Sequence, residues 1–167
     1  MTVVKRTSVK DVHCSVAQCV EVIGDWWTPL ILRDLLLGVH RFDDLQEGLG
    51  ISRNVLTQRL ELLVDNEIVE RRPYQDRPPR HDYVLTRKVR DLWVVIQAMK
   101  QWGDRWAAPD GNPVDLVHTT CDHVATMVPT CSECGGTLHV ADVVATPGPG
   151  FCDDTPLPRH RRDRDPA

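Results

Sequence analysis

The sequence predicts a mainly α chain with a small β wing, a winged helix-turn-helix, followed by a small β-rich, zinc-ribbon-like extension. Three observations predict it. Apolar residues recur at helical spacing from Ser15 to Leu63, cut by glycines at 24, 38, 48 and 50. Two strand-like runs, 68–74 and 82–85, flank the basic loop Gln75-Asp76-Arg77-Pro78-Pro79-Arg80-His81. A cluster of Cys and His, including Cys131-Ser-Glu-Cys134-Gly135, follows a Pro/Gly/Asp break at 109–113.

A first helix is expected from Ser15 to Ile23, with Val16, Cys19, Val20 and Ile23 on one face and Gly24 as a left-handed cap. Thr28 reads as the N-cap of a second helix, with Pro29 at its first position, where a missing N–H costs nothing. Leu30, Ile31, Leu32, Leu35, Leu36 and Leu37 make this helix apolar nearly all round, so it is expected at the centre of the core, ending at Gly38. Asp43-Asp44-Leu45-Gln46 resembles a capping box opening a short third helix that ends at Gly48 or Gly50.

Ser52 caps a fourth helix. Ile51 before the cap and Leu56 after it have the spacing of a hydrophobic staple, which sets the angle at which the chain enters. Leu56, Leu60 and Leu63 face inward, while Arg53, Asn54, Thr57 and Gln58 face outward. A short helix, a tight turn and a second helix with an Arg/Asn/Gln face form a helix-turn-helix pattern. After the wing, Thr86 is expected to cap a long helix ending near Trp106. Its stripe is Leu92, Val95, Ile96, Met99, Trp102 and Trp106. So broad an apolar stripe on a terminal helix calls for a second copy of the chain, or for packing back on the first two helices. Three segments follow: residues 1–108 as the helical, DNA-binding and dimerisation domain, 109–145 as the Cys/His-containing β extension, and 146–167 as a disordered tail.

Charge is unevenly spread. The net charge is −4, yet residues 53–90 hold nine Lys/Arg against six Asp/Glu, while residues 107–167 hold four Arg against nine Asp/Glu. The candidate nucleic-acid face is therefore locally basic. No apolar run approaches the ~20 residues needed to span a bilayer, and no secretory signal is apparent, so a cytoplasmic protein without a membrane partner is expected.

Double-stranded DNA is the partner this face suits. Arg53 can address guanine O6 and N7, and Asn54 or Gln58 the edge of adenine. Thr57 suits a thymine methyl or a phosphate. Ser52 is a cap that can also help hold a phosphate. Arg59 lies near the far side of the helix and suits a phosphate or a structural ion pair. Arg77, Arg80 and His81 suit phosphates, with one arginine entering a narrow minor groove.

In the extension, Cys131 and Cys134 form a knuckle followed by glycine, which lets backbone amides approach the thiolates. His118, Cys121 and His123 supply the partner pair, so four of these five residues make a candidate Cys3His set for structural zinc. An unmetallated hairpin with incidental thiols is the alternative.

The ordered segments Cys14-Ser15-Val16-Ala17, Ile23-Gly24-Asp25, Trp27-Thr28, 30–38, Arg41-Phe42, Leu45, Ile51-Ser52, 56–60, Leu63 and Tyr83/Leu85-Thr86 resemble the HxlR-type winged helix-turn-helix regulators, over about residues 12–106. The resemblance implies a dimeric bacterial transcription regulator, related in architecture to the MarR group, with the fourth helix in the major groove and the hairpin on the backbone or minor groove. Trp26 stands where a basic residue is usual, and Glu67 and Val89 where glycines are usual. With Glu67 there, Asn66 is expected to take the left-handed cap. Cys14 matches the cysteine through which members of the family sense electrophiles or oxidants; packing alone is the other reading. Cys19 reads as a small core residue.

The function expected is a homodimeric, sequence-specific regulator, a repressor released by a ligand or by thiol oxidation. A pocket for a small-molecule effector at the dimer interface, lined by Trp26, Trp27, Trp93 and Trp102, is weighed against simple core packing. A zinc-containing interaction module is the alternative; a thiol or zinc enzyme is disfavoured because no nucleophile–base spacing, nucleotide loop or Glu beside a metal-like pair stands out.

Overall fold

In the computed structural model, which describes residues 8–151, the chain divides into two compact units, one running to Pro113 and the other starting at Val114. The expected disordered tail lies outside the described residues from 152 onward.

The first unit is built from α1 (Ser15–Ile23), α2 (Thr28–Leu36), α3 (Phe42–Leu49), α4 (Arg53–Asp65), β1 (Val69–Asp76), β2 (Pro79–Leu85) and α5 (Val89–Trp106). It is mainly helical with a two-stranded antiparallel wing. Its core gathers one face of each helix: Ile23 from α1, Ile31, Leu32 and Leu35 from α2, Leu45 from α3, Leu56, Leu60 and Leu63 from α4, and Ile96 from α5. Ile51 and Leu56, the staple pair, are both buried.

Several local expectations change. Gly24 caps α1 at φ −82°, not in the left-handed region. Glycine is needed there for space, since a Cβ would lie 2.4 Å from the Val20 carbonyl oxygen. Thr28 is not the cap of α2 but its first residue, and Pro29 follows it. The capping group is Asp25: its Oδ1 accepts from the backbone N–H of Trp27 (2.8 Å) and of Thr28 (3.1 Å), and its Oδ2 from the buried Thr28 hydroxyl. A carboxylate at a helix N-terminus satisfies orphan amides and complements the dipole. Leu30 and Leu37 are exposed, so α2 is amphipathic in this chain and not apolar all round.

No side chain caps α3, which begins after Arg41; Asp43 and Asp44 fall in its first turn, where the dipole favours them. Gly50 closes it in the left-handed conformation. At the end of α4 it is Glu67, not Asn66, that takes the left-handed position, with φ 57° against −89°. The Asn66 side chain donates instead to the Leu62 carbonyl (2.8 Å). Thr86 does not cap α5; its hydroxyl donates to the Glu67 carbonyl (2.7 Å), tying the end of the wing to the turn before it.

The wing strands are longer than the hydrophobic runs suggest, because alternating polar residues pair as readily on an exposed hairpin. Only Arg77 and Pro78 remain in the turn; Arg80 and His81 lie in β2. The register slips between Pro73 and Gln75, leaving Tyr74 as a bulge where Pro73 has no N–H to give. Residues 40 and 41 add a short third edge: Tyr83 N–H donates to the His40 carbonyl (2.8 Å), and Arg41 bridges to Asp82.

Among its described residues the second unit pairs β3 (Val117–His118) with β4 (His123–Val124) in a short hairpin, and a second turn is closed by a bridge between Thr130 and Thr137. The β-rich extension expected over 109–145 forms little strand: residues 127–128 and 138–144 are not in strands, and a turn stands at 139–142. No described residue of this unit is buried.

Candidate nucleic-acid interface

The exposed side of α4 is aimed by its first turn. Ser52, in extended backbone, accepts from the Val55 N–H (3.4 Å), so the cap read from the sequence forms. Leu56, Leu60 and Leu63 are buried beneath it, and Arg53, Asn54 and Gln58 are exposed above. Burying three leucines on one stripe leaves the opposite stripe no choice but solvent or a partner.

A cleft between the start of α3, the outer face of α4 and the wing gathers Arg53, Thr57, Arg80 and His81. Arg53 stacks over the Phe42 ring, 4.9 Å from its centroid. The Asp43 carboxylate stands between the two arginines: Oδ1 is 4.0 Å from Arg53 and Oδ2 is 4.0 Å from Arg80. Both arginines and Asp43 are more than half exposed, so these pairs hold the guanidinium groups loosely and leave them free to exchange partners.

Arg41, which the sequence marks only through its place in the family motif, also lines this cleft. It lies 4.9 Å from the centroid of the bulged Tyr74 ring and 3.8 Å from Asp82 Oδ1. The signal was its place beside Phe42, but only the pairing of residues 40 and 41 with the wing brings it to the cleft. Asn54 and Gln58 lie on the exposed helix face outside that cleft, and Arg77 is exposed in the wing turn. Arg59 is elsewhere: it is three-quarters covered, with Nε 3.3 Å from Asp25 Oδ1. The two are not aligned for a hydrogen bond, so charge alone holds them. Of the two roles weighed for Arg59, the geometry supplies the structural ion pair.

Cys14 is exposed and occupies the N-cap of α1, with no side-chain cap bond, while Cys19 is half-buried against the core. Within one copy the tryptophans stand apart. Trp93 lines a cleft with Leu36, Leu85 and Val89; Trp27 packs on the core; Trp26 is 91% exposed.

The five candidate zinc ligands fall into two groups. Cys121 Sγ is 3.4 Å from His118 Nδ1, and the His123 ring contacts the Cys121 carbonyl. Backbone N–H groups of Cys134 and Glu133, with the Cys134 thiol, point at the Cys131 sulfur and hold its pKa below the usual thiol value. No three His, Cys, Asp or Glu side chains converge on one metal position among the described residues.

Comparison with known proteins places this arrangement. The profile of the HxlR-like helix-turn-helix family matches residues 22–111, which span α2 through α5. The chain belongs to the HxlR-like helix-turn-helix family. Among HxlR-like relatives, an HTH-type transcriptional regulator of Mycobacterium bovis, Mb3122, is 42% identical over 138 residues, covering 82% of this chain and 87% of the relative. The crystal structure of PA1607, described as a transcription factor, superposes with a TM-score of 0.74 at 33% identity, covering 84% of this chain and 99% of that one. HypR, described as a redox regulator and solved in its reduced form, gives a TM-score of 0.52 at 30% identity, covering 55% of this chain and 92% of that one. These relatives are described as transcriptional or redox regulators. Among the described residues, no helix is long and apolar enough to cross a membrane.

Proposed function

We propose that this transcriptional regulator of the HxlR-like family reads duplex DNA as a homodimer and represses transcription until a ligand or thiol oxidation releases it. One observation carries the reading: the side of α4 opposite its buried leucines presents Arg53, Asn54, Thr57 and Gln58, and the wing sets Arg80 and His81 in one cleft with Arg53 and Thr57. In this reading Arg53, Asn54 and Gln58 meet base edges, Thr57 and the Ser52 turn meet the strand flank, and Arg77, Arg80 and His81 meet phosphates. Arg41 joins them as a further phosphate partner.

The homodimer is supported by α5. Val95, Met99, Trp102 and Trp106 are exposed along one side of it, and Trp102 is 63% exposed. An apolar face of that size is costly in water and economical between two copies.

Release by oxidation is supported by the exposed Cys14 at the N-cap of α1 and by the likeness to HypR. Diamide treatment is expected to abolish operator binding in the native chain and to leave a Cys14→Ser variant bound; equal behaviour of the two removes the thiol switch.

Selection of bound sites from a random DNA pool, followed by gel shift, tests the main reading. A two-fold site is expected. Arg53→Ala should weaken it by about 1–3 kcal/mol and relax one base position. Equal loss on selected and random DNA removes the base-reading role.

A further inference from the structure

The second unit contains the same hairpin twice. Asp122 N–H donates to the His118 carbonyl (2.8 Å), and thirteen residues on, Gly135 N–H donates to the Cys131 carbonyl (2.9 Å). Ala125 N–H donates to the Leu116 carbonyl (2.7 Å), and Leu138 N–H to the Pro129 carbonyl (2.9 Å). Val117 pairs with Val124, and Thr130 with Thr137. The residue after Cys121 and the residue after Cys134 are both left-handed, Asp122 at φ 56° and Gly135 at φ 70°. Every one of these correspondences has the same offset. His118 therefore takes the place of Cys131, and Cys121 that of Cys134.

A left-handed residue after a C-x2-C turn folds the backbone so that its amides face the first ligand, as the N–H groups of Glu133 and Cys134 face the Cys131 sulfur. For an L-residue this conformation is unfavourable, and aspartate is among the few that accept it. Its recurrence at Asp122, where no glycine relieves it, shows that the turn at His118–Cys121 has the shape of the glycine-bearing one.

We propose that the second unit binds one zinc ion through His118, Cys121, Cys131 and Cys134, as a ribbon of two matched knuckles. The distance within the first pair fits. Two ligands on one edge of a tetrahedral zinc, with Zn–S about 2.3 Å and Zn–N about 2.0–2.1 Å, stand about 3.5 Å apart. Cys121 Sγ and His118 Nδ1 are 3.4 Å apart. His123 is left out of the set because it matches Gly136, which has no side chain to ligate. Four protein ligands close the shell, so the metal is structural. A unit without a single buried described residue has no hydrophobic core to hold it, and metal coordination supplies that role in small domains. Binding draws the two ligand pairs onto one centre, and each thiol releases its proton to solvent.

The full-length reduced chain, stripped of metal and titrated with Co(II) and Zn(II), tests this. One metal per chain is expected, with the thiolate-to-cobalt charge-transfer absorption of a three-sulfur site, displaced by zinc. His118→Ala and Cys134→Ser should each lower affinity at least roughly tenfold, while His123→Ala changes it by less than about twofold. A native chain that binds no cobalt overturns the site, whatever the variants do. So does retention of metal by the Cys131→Ser/Cys134→Ser chain, or loss of metal in His123→Ala with retention in His118→Ala. DNA binding by the first unit is a separate measurement, so failure here leaves the operator reading untouched.

Discussion

Arg59 Nε stands 3.3 Å from Asp25 Oδ1, and this joins the middle of α4 to the N-terminus of α2. Asp25 thereby does two tasks: it caps α2 through the Trp27 and Thr28 amides, and it balances the least exposed arginine of α4. The orientation of the exposed polar side of α4 is anchored from behind by a charge that does not itself face outward.

Loss of that anchor should read as lost stability, not lost specificity. Arg59→Ala is expected to lower the unfolding free energy by about 1–3 kcal/mol, since both groups are largely covered. Asp25→Ala should cost more, because the cap contributes about 1 kcal/mol besides. Urea unfolding measures both. A Arg59→Ala chain as stable as the parent but deficient in DNA binding would return Arg59 to the interface.

Asp43 separates Arg53 from Arg80 with a like-signed neighbour to the phosphates. Asp43→Asn should tighten binding to random duplex several-fold at low salt and much less at high salt, as a screened charge effect requires. Arg80→Ala should do the reverse on all sequences and flatten the salt dependence. Fluorescence anisotropy at two ionic strengths distinguishes these from a change in base reading.

Gly24 is held by crowding. A Cβ there would lie 2.4 Å from the Val20 carbonyl oxygen and 2.5 Å from Val20 Cγ1, and backbone cannot step aside as a flexible side chain can. Gly24→Ala should destabilise by about 1–3 kcal/mol even though its φ of −82° suits alanine. Thermal unfolding checks the sign: a gain in Tm would mean that the end of α1 relaxes freely.

Glu67 occupies a left-handed turn with φ 57°. That conformation costs a non-glycine residue about 1–2 kcal/mol, partly offset by the greater entropy glycine loses on folding. Glu67→Gly should therefore stabilise the first unit by about 0.5–1 kcal/mol, read as a higher urea midpoint at unchanged slope.

Trp102 and Met99 lie on the exposed side of α5. Trp102→Glu is expected to shift the chain from dimer to monomer in sedimentation and to weaken binding to a two-fold operator more than to a half-site. A Trp102→Glu chain that remains dimeric puts the interface on another face.

Much of the first unit was legible because periodicity is a local property. Leu56, Leu60 and Leu63 must share a stripe on any helix, so the polar residues between them must share the other; Ser52 at the foot of that stripe then has one obvious task. What escaped were choices among equivalent partners.

By itself, then, the order of amino acids settled which residues form helices and wing, which side of α4 is polar, and to which family the chain belongs. The tertiary structure decided who meets whom: Asp25 and not Thr28 at the head of α2, Glu67 and not Asn66 in the left-handed turn, Arg41 in the cleft beside Arg53 and Arg80, and His118 in the place that Cys131 fills thirteen residues later. The physical reason is range. Burial patterns follow from spacing along the chain, whereas a hydrogen bond or an ion pair goes to whichever group the assembled backbone brings within about 3–4 Å, and that distance is set by packing.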